Sequence, residues 1–120
     1  MKEETDNFVI RQLVIDMEQY GIGLISNWSV QHQKLLGDYI ASTMHQMVEA
    51  ANELQFSWQK KTPLKALDMK NHALKDLVSV AAKCGFLRGP RNLIEWHRRC
   101  DELGAKIGGY YKYLYPDKEH

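Results

Sequence analysis

Arginine and histidine near the start of a predicted C-terminal helix offer the most direct route to chemistry in this chain. Arg91 and His97 are separated by five residues in the segment PRNLIEWHRRC. A histidine beside a phosphodiester can exchange protons while an arginine stabilises charge on the phosphate. A plain basic helix has the same pattern, with Arg91 solvated and His97 partly packed. Catalysis by these two residues stays an alternative, and we expect a protein that is not an enzyme.

The histidines and cysteines do not indicate a metal site. The five histidines form neither a Glu-x-x-His nor a His-x-x-x-His pair, the spacings that put two ligands on one helical face. They are His32, His45, His72, His97 and His120. Cys84 and Cys100 form no Cys-x-x-Cys unit. We expect both thiols to be buried on neighbouring helices, we leave a disulfide between them open, and we predict no metal or cofactor.

Positive charge is concentrated in the second half of the chain. Residues 1–59 carry three bases against eight acids, whereas residues 60–112 carry twelve bases against five acids. Lysine and arginine neutralise phosphates and release counterions, which gives salt-dependent affinity that is largely indifferent to sequence. A solvated helix face, or a face for an acidic partner protein, has the same composition. The candidate contacts to nucleic acid are Lys61, Lys65, Lys70, Lys75, Arg88, Arg91, Arg98, Arg99 and Lys106.

Four amphipathic segments must position these side chains. Apolar residues recur at spacings of three and four, which is typical of α-helices, and no segment alternates as a strand does. Thr62-Pro63 and Pro90 are predicted to start helices, and Gly85 to end one. Short connections favour an all-α, antiparallel up-down-up-down four-helix bundle in a single domain, 1–120. The predicted helices cover about 6–28, 30–56, 63–84 and 90–114.

The apolar stripes of these helices predict the core. Phe8 to Trp28 supply the first stripe, capped at Thr5, Asp6 or Asn7. The second stripe is Leu35, Leu36, Tyr39, Ile40, Met44, Met47, Val48, Ala51 and Leu54, and the fourth is Leu93, Trp96, Cys100, Leu103, Ile107 and Tyr111. Glycine allows backbones to approach closely. We therefore predict close contact with another helix, or a bend, at Gly21 and Gly23, and close approach of another helix or subunit at Gly108 and Gly109.

No feature of the sequence predicts a membrane or export pathway. No apolar run approaches the roughly 20 residues that a membrane span needs. The acidic start, MKEETDNF, lacks the apolar stretch of a signal peptide. We expect a cytoplasmic protein without a membrane partner.

Three ordered pieces of the sequence resemble a known family. They are Lys34-Leu35-Leu36-Gly37-Asp38, the segment KDLVSVAAKCGFL from Lys75 to Leu87, and the last helix from Gly89-Pro90-Arg91 to Gly108-Gly109-Tyr110-Tyr111-Lys112. Over about residues 30–114 the chain resembles the accessory variability determinant (Avd) proteins of diversity-generating retroelements, within a wider group that includes proteins encoded in intervening sequences of ribosomal RNA genes.

The resemblance implies a four-helix bundle that assembles as a homopentamer and has no catalytic residues of its own. It implies a protein that binds RNA or DNA together with a reverse transcriptase and assists RNA-templated, mutagenic cDNA synthesis. The chain departs from the family in its net charge of only +1, and in Tyr110-Tyr111 where tryptophan is common. The spacing of Arg91 and His97 resembles instead the Arg-x(4–6)-His signature of HEPN ribonucleases, which are also small helical bundles.

Overall fold

The structure, a computed structural model, describes residues 2–116, with side chains described from residue 5 onward. Helix α1 spans Lys2–Ile25. Helix α2 consists of a short turn, Val30–His32, a π-helical segment, Gln33–Gly37, and a longer helix, Asp38–Phe56. Helices α3 and α4 span Lys61–Lys83 and Gly89–Leu114. No strand occurs within residues 2–116, so the prediction of an all-α fold with four helices is confirmed.

The four helices pack in a closed cycle around one core. Helix α1 lies against α2 and α4, and α3 also lies against both of them. The longest dimension is 46 Å, which allows the two ends of the molecule to carry different surfaces. Polar contacts link the helices, since Arg11 Nε donates to Asn52 Oδ1 at 2.7 Å and the buried Asn71 Nδ2 donates to the Cys100 carbonyl at 2.9 Å. Within the described range, no helix has the length and apolar character needed to cross a membrane.

Two of the predicted helix starts are wrong. Helix α1 already begins at Lys2, so the residues predicted as its cap lie inside it, and it ends at Ile25, before Trp28. Helix α3 begins at Lys61, and Thr62 does not cap it. The Gln59 side chain does this instead, because its Oε1 accepts from the Thr62 N–H at 3.0 Å and its Nε2 donates to Thr62 Oγ1 at 2.8 Å. The end at Gly85, with φ of +81°, is as predicted.

The core follows most of the predicted stripes but not all their members. Met44 and Met47 are fully buried, as predicted. In contrast, Phe8, Leu35 and Tyr39 are more than half exposed. A helix turns about 100° per residue, so the side chains of Tyr39 and Ile40 point in different directions, and here only Ile40 faces the core.

At the end of the fourth stripe Tyr111 is half-buried and packs against the core, as predicted, and Tyr110, which the predicted stripe omits, is fully buried. Cys100 is buried as expected, but Cys84 is exposed at the end of α3. The two thiols are unpaired.

Only one of the four predicted glycine contacts is found within the chain. A Cβ added at Gly21 would lie 2.7 Å from Met44 Sδ and Trp96 Cζ2. At Gly23, Gly108 and Gly109 an added Cβ would meet no atom within 4 Å. The prediction that another helix of the same chain lies close is therefore wrong for these three positions. Approach of a second subunit at Gly108 and Gly109 stays a prediction.

Candidate nucleic-acid-binding surface

Three of the nine predicted cations are engaged by carboxylates of the same chain. Lys75 Nζ lies 2.7 Å from Asp101 Oδ1, joining the middle of α3 to the middle of α4. This hydrogen bond raises the pKa of Lys75. On α4, Arg98 contacts Glu95 at 2.9 Å and Glu102 at 3.2 Å. A cation held by a carboxylate must exchange that partner for a phosphate, so these positions are weak candidates for binding.

Arg99, the third paired cation, faces α1. Its guanidinium Nε lies 2.9 Å from Glu95 Oε2, and its Cζ lies 4.6 Å from the ring centroid of Tyr20. Hydrogen bonding to Arg98, with the nearby charge of both arginines, holds the pKa of Glu95 below its usual range. Burial raises the pKa of Tyr20, and the Glu95 charge adds to the effect. This cluster of charge and aromatic surface fastens α4 to α1.

The other six predicted cations have no carboxylate partner among the described residues. Five are exposed and Lys70 is half-buried; the exposed ones are Lys61, Lys65, Arg88, Arg91 and Lys106. Lys61 Nζ lies 6.0 Å from the ring centroid of Tyr115, at the end of α4. Arg88 and Arg91 lie at the start of α4, and therefore near the opposite end of α3 from Lys61 and Lys65. The structure does not bring the nine cations together into one site.

Arg91 and His97, the pair considered for catalysis, lie in different environments. Arg91 is exposed, whereas His97 is half-buried between α3 and α4. His97 Nε2 lies 3.0 Å from Ser79 Oγ and 3.3 Å from the Lys75 carbonyl oxygen. A ring nitrogen in this position links two helices.

The remaining described histidines also contact protein groups. His32 stacks on Phe86, His45 contacts Glu18, and His72 lies 3.6 Å from Asp68. Within residues 2–116, no three His, Cys, Asp or Glu side chains form a group that could hold a metal ion. His120 lies outside the described residues.

Sequence reasoning missed a cavity at the end of the bundle that carries Arg88. The connection between α1 and α2 meets the connection between α3 and α4 there, and the cavity between them has a volume of about 510 Å³. Its walls include Trp28, His32, Phe86 and Arg88. The feature of the sequence that could have indicated this cavity is an aromatic residue in each connector, in SNWSVQH and in GFLRG.

Comparison of the chain with models of protein families, with curated proteins and with solved structures found no match. The likeness to Avd proteins therefore stays a prediction from the sequence motifs.

Proposed function

We propose that this chain is a non-enzymatic, Avd-like accessory protein that binds nucleic acid with its basic half and docks on a reverse transcriptase in the cytoplasm. The observation that supports nucleic-acid binding best is the exposure of five predicted cations with no carboxylate partner in the described part of the chain. Such cations have no ion pair with a described carboxylate to break when they meet a phosphate. They favour salt-dependent binding of the polyanion backbone.

We also infer the antiparallel, up-down-up-down topology from pairs of contacts. Arg11 bonds to Asn52 and Glu18 to His45, so residue numbers rise along α1 as they fall along α2. The contacts of Lys75 with Asp101 and of Ser79 with His97 support the same relation between α3 and α4. Such a bundle leaves the two connectors discussed above at one end, near Arg88 and Arg91.

Exposed apolar side chains support docking of a second protein or a second copy. Leu35 and Tyr39 lie four residues apart on α2 and are 66% and 64% exposed. Residues at this spacing are neighbours on a helix surface. The resemblance to Avd predicts a homopentamer, and sedimentation velocity tests it. If this face is the interface, Tyr39→Glu dissociates the assembly and Lys34→Glu, a nearby charge change, does not. A monomeric wild type refutes the pentamer.

A salt titration tests the nucleic-acid proposal. Fluorescence anisotropy with labelled single strands and duplexes gives the slope of log K against log salt for wild type, Arg91→Ala and Lys34→Ala. Lys34 is the matched control, since it is an exposed cation outside the basic half. Each lost phosphate contact lowers the magnitude of the slope by about 0.7 for single strands and about 0.9 for duplexes. We expect this loss for Arg91→Ala alone.

The same preparations separate the proposal from its two alternatives. No binding at low salt refutes nucleic-acid binding, and salt-sensitive association with an acidic protein then identifies the structural-oligomer alternative. The HEPN-like alternative requires RNA cleavage that wild type performs and His97→Ala does not. The contacts of His97 Nε2 with Ser79 and the Lys75 carbonyl disfavour it, because that nitrogen is already engaged.

A further inference from the structure

The cavity at the connector end of the bundle has the size and the walls of a ligand site. Its volume of about 510 Å³ lies within the range of roughly 300–1,000 Å³ that is usual for small-molecule sites. Its lining combines aromatic rings, amide and hydroxyl groups, and one permanent cation, Arg88. None of its lining residues is an aspartate or glutamate.

The aromatic wall is formed by contacts between the two connectors. Phe86 packs with its ring centroid 3.9 Å from that of His32, nearly parallel to it, and 5.5 Å from that of Trp28, at a steep angle. All three side chains are half-buried, so ring surface stays accessible on the cavity side. Flat apolar rings at a cavity wall are suited to stacking a planar heterocycle.

Local structure holds this wall in position before any ligand arrives. Gln33, in the π-helical segment, donates from Nε2 to the Ile25 carbonyl at 3.0 Å and to the Trp28 carbonyl at 3.3 Å. These bonds tie the connector that carries Trp28 to the start of α2. On the other side, Gly85 and Gly89 take positive φ values of 81° and 66° and set the path of the connector that carries Phe86 and Arg88. π-Helical segments are frequent at functional sites.

The polar groups of the cavity complement a nucleotide. Arg88 is exposed and has no carboxylate partner among the described residues, so its five donors are available to a phosphate. The amide of Asn92 lines the same cavity, and amide groups both donate to and accept from base edges. Arg88 directly precedes α4 in an extended conformation, and Arg91 lies three residues further along, in the first turn of that helix.

We propose that this cavity holds one unpaired nucleotide of a single-stranded nucleic acid, with its base against the aromatic wall and its phosphate on Arg88. The proposal rests on the proposed nucleic-acid binding and adds a defined site and a preference for single strands to it. A duplex keeps its bases stacked and paired, so it cannot offer a base to the aromatic wall without paying to unstack one.

Abasic strands test the proposal on the unaltered protein. A short oligodeoxyadenylate and an abasic strand of the same length carry equal charge, and they differ only in the bases. Stacking of one base predicts that the abasic strand binds about fivefold or more weakly. Equal affinities would overturn the site while leaving nucleic-acid binding intact, whereas failure of every strand to bind at low salt overturns both proposals.

Variants then locate the effect. Phe86→Leu keeps apolar packing but removes the ring, and we expect it to abolish most of the difference between the two strands without changing the salt slope. Lys106→Ala is a charge control, because it removes an exposed cation elsewhere on α4; any loss of affinity should be equal for the two strands, so the difference between them should be preserved. A thermal melt establishes that each variant is folded. If Phe86→Leu and Lys106→Ala keep the same base dependence, the base binds elsewhere and the proposal is wrong.

A free mononucleotide distinguishes the two sources of the ligand. Adenosine monophosphate presents one base and one phosphate to the cavity but cannot reach Arg91 and further cations at the same time. We expect it to compete with the oligodeoxyadenylate only at concentrations about tenfold or more above the strand. Competition at equal concentration would mean that the cavity takes a free nucleotide, and would refute the strand as its ligand.

Discussion

Replacing Gly21 by alanine adds one methyl group where α1 meets the core. The new Cβ would lie 2.7 Å from Met44 Sδ, Met44 Cε and Trp96 Cζ2, whereas carbon atoms in good contact are about 3.5–4.0 Å apart. The end of the Met44 side chain can move, but the Trp96 ring is fully buried. The ring can therefore yield only if its neighbours or helix α1 shift as well.

The magnitude follows from two opposing effects. Overpacking a close-packed core costs about 1–3 kcal/mol, and the rigid ring argues for the upper end. Alanine recovers about 1 kcal/mol of helix propensity relative to glycine. We expect Gly21→Ala to lower the free energy of unfolding by about 2 kcal/mol. Gly23→Ala, two residues away in the same helix with nothing within 4 Å of its Cβ, should instead raise it by at most about 1 kcal/mol.

Urea denaturation followed by circular dichroism measures both variants. The midpoints should move in opposite directions with an unchanged m-value, which would show that both variants expose as much surface on unfolding as wild type does. In thermal melts the Gly21→Ala midpoint should fall by roughly 8 °C. A Gly21→Ala protein as stable as wild type would refute the close contact of α1 with Met44 and Trp96, and with it the packing of the core described above.

Three further predictions concern the glycine pair and the cysteines. Gly108→Ala and Gly109→Ala should each raise the free energy of unfolding of one chain by about 1 kcal/mol, measured by urea titration, and should weaken self-association in sedimentation only if a second copy approaches there. Iodoacetamide should label the exposed Cys84 in the native protein and Cys100 only in denaturant, as mass spectrometry can follow. Burial raises the pKa of the Cys100 thiol from 9.0 to about 12. The neutral thiol contributes its full stability below pH 9, and this contribution is lost as the pH rises toward 12. The free energy of unfolding should therefore be lower by about 2 kcal/mol near pH 10.5. In Cys100→Ala the free energy of unfolding should decline less over the same pH range.

The existence of the four helices could be predicted from the sequence because the apolar residues of each recur at helical spacing over about twenty positions. The buried methionines, Met44 and Met47, and the helix end at Gly85 were readable for the same local reasons. The burial of adjacent apolar residues could not be predicted, since the pattern alone does not say which of Tyr110 and Tyr111 is more deeply buried. The start of α3 was missed because a glutamine side chain, Gln59, satisfies the first turn in place of the expected threonine.

The candidate site was less predictable, because charge pairing depends on which helices become neighbours. The contacts of Arg98 with Glu95 and Glu102 follow the spacing of three and four along one helix and were readable from the sequence. The pair of Lys75 and Asp101 joins positions 26 residues apart, and only the fold brings them together. The cavity likewise forms only where the two connectors meet, so the sequence of either connector alone does not predict it.

The distribution of unpaired cations limits how a single copy can hold a nucleic acid strand. If all nine predicted cations met phosphates of a single strand, the salt slope would be about −6, and the six unpaired ones would give about −4. A strand held at the connector end alone, by Arg88 and Arg91, gives a slope of about −1.4. A nucleotide seated in the cavity beside Arg88 accounts for this last, end-on arrangement. Each copy held in this way contributes only a small salt slope. In an assembly whose connector ends face one strand, the slopes of the copies add. The cavity, the separated cations and the proposed assembly are therefore compatible with one mode of binding.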